Sequence, residues 1–336
     1  MRAVLTAVVA VSIALTATGC TGVAEPFRSS RQVLGTAVTI TAYADPAREA
    51  APRAFRDMAA LESALSPYDA SSSVSTFNRD PYVARVLPAA ATTILEAVKR
   101  LGVQREFSPA LFRLTALYDF GGRGSVPSTM ALDDAVRAAS GFRERPSGAV
   151  VFVRPAGPAA SASPGLDFGG AAKGLALDRA ASILGAGPWL ITAGSSTLAY
   201  GSKPDGEPWR VGIEDPREPG RVIATVSADG TLSVSTSGDY QQYFERAGIR
   251  YHHILDPSTG RPASGLRSLT VFGRMAGLDA DILSTALFVM GRDRALEYAR
   301  AHAIGVFIVD DRGRVTSNIP SGSGEPILET QRAPTR

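Results

Sequence analysis

Apolar residues recur along this chain with two periods, and the two alternate in blocks. Phe55, Met58, Leu61 and Leu65 return every three or four residues, so a helix capped at Asp45-Pro46 is expected to reach Leu65 with one apolar face. Ile94, Leu95, Val98 and Leu101 make a second such face ending near Gln104. Leu111, Leu114 and Leu117 make a third, which stops at Tyr118-Asp119-Phe120-Gly121-Gly122. Further helices are expected within 125–142, from the glycines after Asp167 to Leu184, and over 279–290 and 292–303. β-Branched or alternating runs predict strands at 38–43, 149–153, 189–192, 198–200, 209–213, 222–226, 232–236, 269–272 and 304–309. The serines of 66–75 read as a loop that closes on Phe77-Asn78. No βαβ rhythm and no internal repeat appears, which predicts an α+β fold over a doubly wound sheet.

Composition narrows the function classes. The 336 residues carry 35 Lys and Arg against 32 Asp and Glu, a net charge of +3 with no block of like sign. That excludes a nucleic-acid arm or polybasic patch and makes any phosphate recognition local. The single cysteine, Cys20, excludes a disulfide framework and a thiolate metal cluster. It follows Met1-Arg2, an apolar run over 3–17 and Ala17-Thr18-Gly19, which resembles a bacterial lipobox. The expected organisation is therefore a lipoprotein signal peptide at 1–19, a flexible tether at 20–31, one domain over 32–320, and a disordered tail at 321–336. The mature protein is expected outside the cytoplasm, anchored to the bacterial cell membrane through lipidated Cys20.

Three polar clusters could carry chemistry. In Asp167-Phe168-Gly169-Gly170-Ala171-Ala172-Lys173, glycines open a helix and a lysine sits in its first turn. Free N–H groups, the helix dipole and Lys173 would suit a pyrophosphate, although glycines at a helix start also serve close packing. Asp281 and Thr285 stand four apart on an expected helix, so both oxygens share a side and suit a hard cation whose shell substrate phosphates complete; a solvated polar stripe would look the same. His252 and His253 hold two of the three histidines, before the turn-forming Asp256-Pro257-Ser258-Thr259-Gly260. An imidazole there could act as a base or touch a phosphate. Neighbours on a strand face opposite ways, so one of the pair is expected to serve a site.

In order, Leu34-Gly35-Thr36, Ser66-Pro67-Tyr68-Asp69 with Phe77-Asn78, Asp167–Gly174, Thr236-Ser237-Gly238-Asp239-Tyr240, His253–Gly260 and Ala280-Asp281 with Thr285 resemble the motifs of the ApbE family of flavin transferases. The resemblance implies a mostly antiparallel sheet with packed helices. It also implies an FAD:protein FMN transferase that uses magnesium to move FMN from FAD to a threonine of a target protein, an electron-transfer subunit, with AMP leaving. By the same resemblance Leu34, Tyr68, Asp167, Lys173 and His253 contact FAD, and Gly170 (through its carbonyl), Asp281 and Thr285 hold Mg2+. Either Asp281 or His253 would take the threonine proton. Two segments depart from the family: Glu106-Phe107-Ser108, by position also expected to contact FAD, stands where the family has a flavin contact ending in an acid, and Ala193-Gly194-Ser195-Ser196 stands where it has a Gly-Gly-Asp turn. Two alternatives stay open: an FAD pyrophosphatase, which keeps the site and uses water as acceptor, and a non-catalytic FAD-binding lipoprotein, which these departures suggest.

Overall fold

The structure, a computed structural model, describes residues 25–156, 163–322 and 324–331. The expected signal peptide and Cys20 lie outside the described residues. In chain order the first elements are β1 (Phe27–Val33), β2 (Thr36–Ala42), α1 (Asp45–Leu65), α2 (Ser73–Arg79), β3 (Arg85–Val86) and α3 (Ala89–Arg100). Next come α4 (Phe112–Tyr118), α5 (Thr129–Ala139), β4 (Phe142–Glu144), β5 (Ala149–Phe152) and α6 (Gly169–Leu184). Then follow β6 (Trp189–Ala193), β7 (Ser196–Tyr200), β8 (Trp209–Glu214), β9 (Val222–Ala228), β10 (Leu232–Gly238), β11 (Tyr243–Arg246), β12 (Ile249–His252) and β13 (Leu266–Gly273). The last are α7 (Gly277–Met290), α8 (Arg292–Ala301), β14 (Gly305–Asp310), β15 (Val315–Asn318) and β16 (Ile327–Thr330).

The main sheet has eight strands in the order β1-β2-β6-β7-β10-β13-β14-β15, and every neighbouring pair is antiparallel. Spatial order thus follows chain order, with other elements inserted between strands, and the α+β expectation holds. Alternation along the central strands splits their side chains between two cores. Val306 and Ile308 of β14 join the helices α1, α6 and α7, while Phe307 and Val309 join the small sheet β16-β9-β8. The candidate chemistry sits on the helical side.

Four expectations are corrected, two of them at the chain's edges. Phe27–Arg31, expected in the tether, form most of β1 and pair with β2 from Phe27↔Ala42 to Val33↔Thr36. Their polar side chains carry no apolar alternation, so only backbone bonding at a sheet edge reveals the strand. Leu34 and Gly35 close this hairpin, both with positive φ (58° and 67°), the two-residue turn whose twist matches the strands. Ile327–Thr330, expected in a disordered tail, pair with β9. Phe77 and Asn78, expected to end a loop, lie inside α2, whose start Ser72 caps by accepting the Ser75 N–H. Asp45 lies in the first turn of α1 and does not cap it; Ala44 holds that position.

Candidate active site

α7 is buried on nearly every side, so a carboxylate within it requires partners. Asp281 has four. Its Oδ2 accepts the Gly174 N–H at 2.9 Å; its Oδ1 accepts the hydroxyls of Ser196 at 2.9 Å and Ser235 at 3.1 Å, with the Lys173 ammonium 3.4 Å away. Gly174 and Lys173 come from α6, Ser196 from β7 and Ser235 from β10. One turn on, Thr285 Oγ1 lies 3.1 Å from Ser237 Oγ. Ser196 and Ser237 stand in segments the sequence singles out, but their part around Asp281 and Thr285, and that of Ser235, is not legible there. The signal for the last two is the alternation Leu232-Ser233-Val234-Ser235-Thr236-Ser237, in which apolar Leu232 and Val234 face the small sheet and the odd-numbered serines face α7.

The start of α6 is shaped by Asp167, whose Oδ1 accepts the Gly169 N–H at 2.8 Å while Phe168 is fully buried behind it. Burial pushes the Asp167 carboxyl above its usual range, and the Gly169 N–H partly opposes this. Gly170 faces the Phe107 ring: a Cβ there would stand 3.3 Å from it. Lys173, one turn into the helix, joins Asp281 and lies near enough to His253 to disfavour its protonation. Lys173 thus ties the glycine stretch to the α7 carboxylate.

The histidines sit at the end of the β11–β12 hairpin. A run of aromatic contacts, Tyr118–Phe120 (5.2 Å between centroids), Phe120–Phe244 (5.8 Å) and Phe244–Tyr251 (5.2 Å), ties this hairpin to the end of α4. From the other side Asp239 accepts a bidentate pair of bonds from Arg217 at 2.7 and 2.6 Å. The hairpin turns at Ala247-Gly248, both with positive φ (50° and 75°), and Ala247 is exposed. Ala247→Asn supplies the Asn-Gly pair this turn favours and is expected to stabilise the protein by about 0.5 kcal/mol, checked as a higher denaturation midpoint.

His252 and His253 part as strand alternation predicts. His252 is buried, with Nε2 2.9 Å from the Ala263 carbonyl oxygen and its ring edge-on to Phe288. His253 is half-buried, and its Nδ1 lies 3.3 Å from the Gln242 carbonyl oxygen. A carbonyl only accepts, so the His253 proton belongs on Nδ1 and Nε2 keeps a lone pair. Burial, then the neighbouring His252, pushes the His253 imidazole down to about 4 from 6.5, with the Gln242 bond opposing. The unfolded chain therefore binds this proton through a pH range in which the folded chain does not. Stability is expected to fall as pH drops from 6.5 towards 4, and an NMR titration of the His253 ring should show a midpoint near 4.

The remaining predicted contacts are more dispersed. Tyr68 is exposed and stands edge-on to Phe112 at 5.6 Å. Phe107 reaches Gly170, and Ser108 Oγ accepts the Ala110 N–H at 3.2 Å. Glu106 turns elsewhere: its buried carboxylate pairs with Arg294 of α8. Leu34, half-buried in the β1–β2 turn, packs on the main core, and Gly35 beside it donates to Glu62 Oε1 at 3.2 Å.

Among the described residues no group of three or more His, Cys, Asp and Glu could hold a metal. The donors here are instead one carboxylate and several hydroxyls, a set that fits a hard cation only if phosphate oxygens finish its shell. Residues 34–308 match the sequence profile of the ApbE family. This chain belongs to the ApbE family. It is 28% identical over 335 residues to a Vibrio cholerae protein named FAD:protein FMN transferase, covering 95% of this chain and 98% of the relative. A Treponema pallidum protein of the same name is 35% identical over 232 residues, 63% of each chain. Among solved structures, the ApbE protein of Thermotoga maritima superposes with a TM-score of 0.76 at 29% identity, covering 87% of this chain and 96% of that one. The apo flavinyl transferase ApbE of Pseudomonas stutzeri gives 0.71 at 28% identity, covering 92% and 95%. The antiparallel α+β architecture is the one these ApbE structures share.

Proposed function

We propose that this ApbE-family protein is an FAD:protein FMN transferase that joins FMN to a threonine hydroxyl of a target protein and releases AMP. The observation that carries the reading is the ion pair of Lys173 with the buried Asp281 carboxylate at the glycine-opened start of α6. The helix N-terminus and Lys173 would hold the pyrophosphate of FAD, and Tyr68 and Phe107 would flank the flavin. Asp281, Thr285 and the Gly170 carbonyl would hold Mg2+, which supplies positive charge beside the pyrophosphate.

The threonine oxygen forms a bond to the FMN phosphorus as the bond from that phosphorus to the bridging oxygen breaks, and AMP departs with the bridging oxygen. The proton leaves the threonine hydroxyl for a base. His253 is the better candidate of the two on geometry, because its Nε2 has a free lone pair, whereas the Asp281 oxygens already accept four donors. The lipobox-like Ala17-Thr18-Gly19-Cys20 supports a lipid-anchored, extracytoplasmic enzyme whose target is an electron-transfer subunit on the same side of the membrane.

Incubating the protein with FAD, Mg2+ and a threonine-bearing acceptor tests this. Acceptor mass increased by FMN, with AMP formed in equal amount, is the expected result. Free FMN and AMP without an adduct would make the protein a pyrophosphatase, and unchanged bound FAD would make it a flavin-binding lipoprotein.

A further inference from the structure

Behind Thr285 runs a line of buried hydroxyls. Thr285 Oγ1 is 3.1 Å from Ser237 Oγ, Ser237 Oγ is 3.0 Å from Ser284 Oγ, and Ser284 Oγ is 3.0 Å from the Asp281 backbone carbonyl oxygen. Ser284 also stands 3.3 Å from Ser235, whose own hydroxyl reaches the Asp281 carboxylate. Ser235, Ser237 and Ser284 are 1%, 6% and 1% exposed, so water does not compete for these bonds.

Each hydroxyl has one proton to give, and the ends of the line decide where each goes. A carbonyl oxygen only accepts, so Ser284 donates to Asp281. The Ser235 proton is committed to a carboxylate, the stronger acceptor. Ser284 must then be served by Ser237, which leaves Ser237 only lone pairs to offer Thr285. The Thr285 proton therefore points to Ser237, which leaves the Thr285 lone pairs free. We propose that Ser237 and Ser284 are positioning residues that present the Thr285 hydroxyl as a fixed acceptor, ready to bind a hard cation. This rests on the reading of Thr285 as a cation ligand. A hydroxyl free to rotate would meet the cation with its proton for part of the time and would bind it less tightly.

The test is a titration of Mn2+ into the full-length protein saturated with FAD and without acceptor, reading free Mn2+ by electron paramagnetic resonance. Ser237→Ala and Ser284→Ala should each weaken Mn2+ binding by about tenfold, the scale of partners that orient metal ligands. Ser237→Thr, which keeps the hydroxyl, should stay within about threefold of the parent protein if orientation is the cause. Thr285→Val is the reference and should lose at least as much as either alanine variant. If Thr285→Val is weakened while both alanine variants bind as the parent does, the proton-ordering role is wrong and the ligand role stands. If all three bind normally, both fall. Weakening in Ser237→Ala that Ser237→Thr fails to restore would assign the effect to packing and overturn the proposal.

Discussion

Replacing Asp281 with asparagine is expected to slow FMN transfer by about a thousandfold, the scale on which removal of one preorganised charge acts in a site closed to water. The side chain keeps its volume, so the α6–α7 contact survives. Its charge does not survive, and neither does its ability to accept on both sides. In the native chain Oδ2 takes the Gly174 N–H, while Oδ1 takes Ser196, Ser235 and the Lys173 ammonium. An amide has one oxygen, so its NH2 group must face donors on one of those sides, at a cost of about 1–3 kcal/mol. Circular dichroism should show a native fold with a lowered midpoint, and AMP release should report the rate. Transfer within about tenfold of the parent would remove Asp281 from the chemistry. Asp281→Ala would instead strand all four donors, so its loss of activity would mix chemistry with stability.

Gly174→Ala is expected to be nearly as damaging, for a reason of pure geometry. A Cβ on Gly174 would lie 2.3 Å from the Gly277 carbonyl oxygen and 2.7 Å from the Asp281 Cβ. Both obstacles belong to the α7 core, so neither can swing aside as a long side chain would. The helices would have to part, stretching the 2.9 Å bond from the Gly174 N–H to Asp281. We expect a loss of about 3 kcal/mol, the upper part of the usual range for overpacking. A displacement of this kind at a reacting geometry would add roughly a hundredfold loss of transfer. Gly121→Ala is the control, since nothing lies within 4 Å of a Cβ there. Equal midpoints for the two variants would mean that α6 and α7 are not held this closely.

The same helix pair shows what motif reading catches and what it misses. Glycines after Asp167 are legible as either a phosphate cradle or a packing device, and the fold uses them one by one: Gly169 and Gly170 start the helix, whereas Gly174 admits α7. A carboxylate on α6, Asp178, accepts the N–H groups of Gly277 and Leu278 at 2.6 and 2.9 Å and so caps α7 from a neighbouring helix. Nothing local marks it, because its partners lie 99 and 100 residues away. The clamp of Arg217 on Asp239 was equally hidden, although Asp239 itself stands in a recognisable motif. Glu106 shows the same from a recognisable segment: its partner, Arg294, lies on a helix far along the chain.

The sequence alone determined the α+β class, most central strands, the long helices α1, α6 and α7, and the opposite facing of His252 and His253. The strands, α1 and the opposite facing of the histidines follow from a period of 2 or 3.6 residues, which any element with one buried face must display, whereas α6 and α7 are read from apolar runs without such a face. Tertiary structure alone decided that Phe27–Val33 and Ile327–Thr330 are strands, since edge strands of polar residues are held by backbone bonds that leave no side-chain pattern. It also decided that the serines of β10 line a buried carboxylate instead of facing water. Alternation tells which side of a strand is polar; only the helix laid across that side tells what the polarity is for.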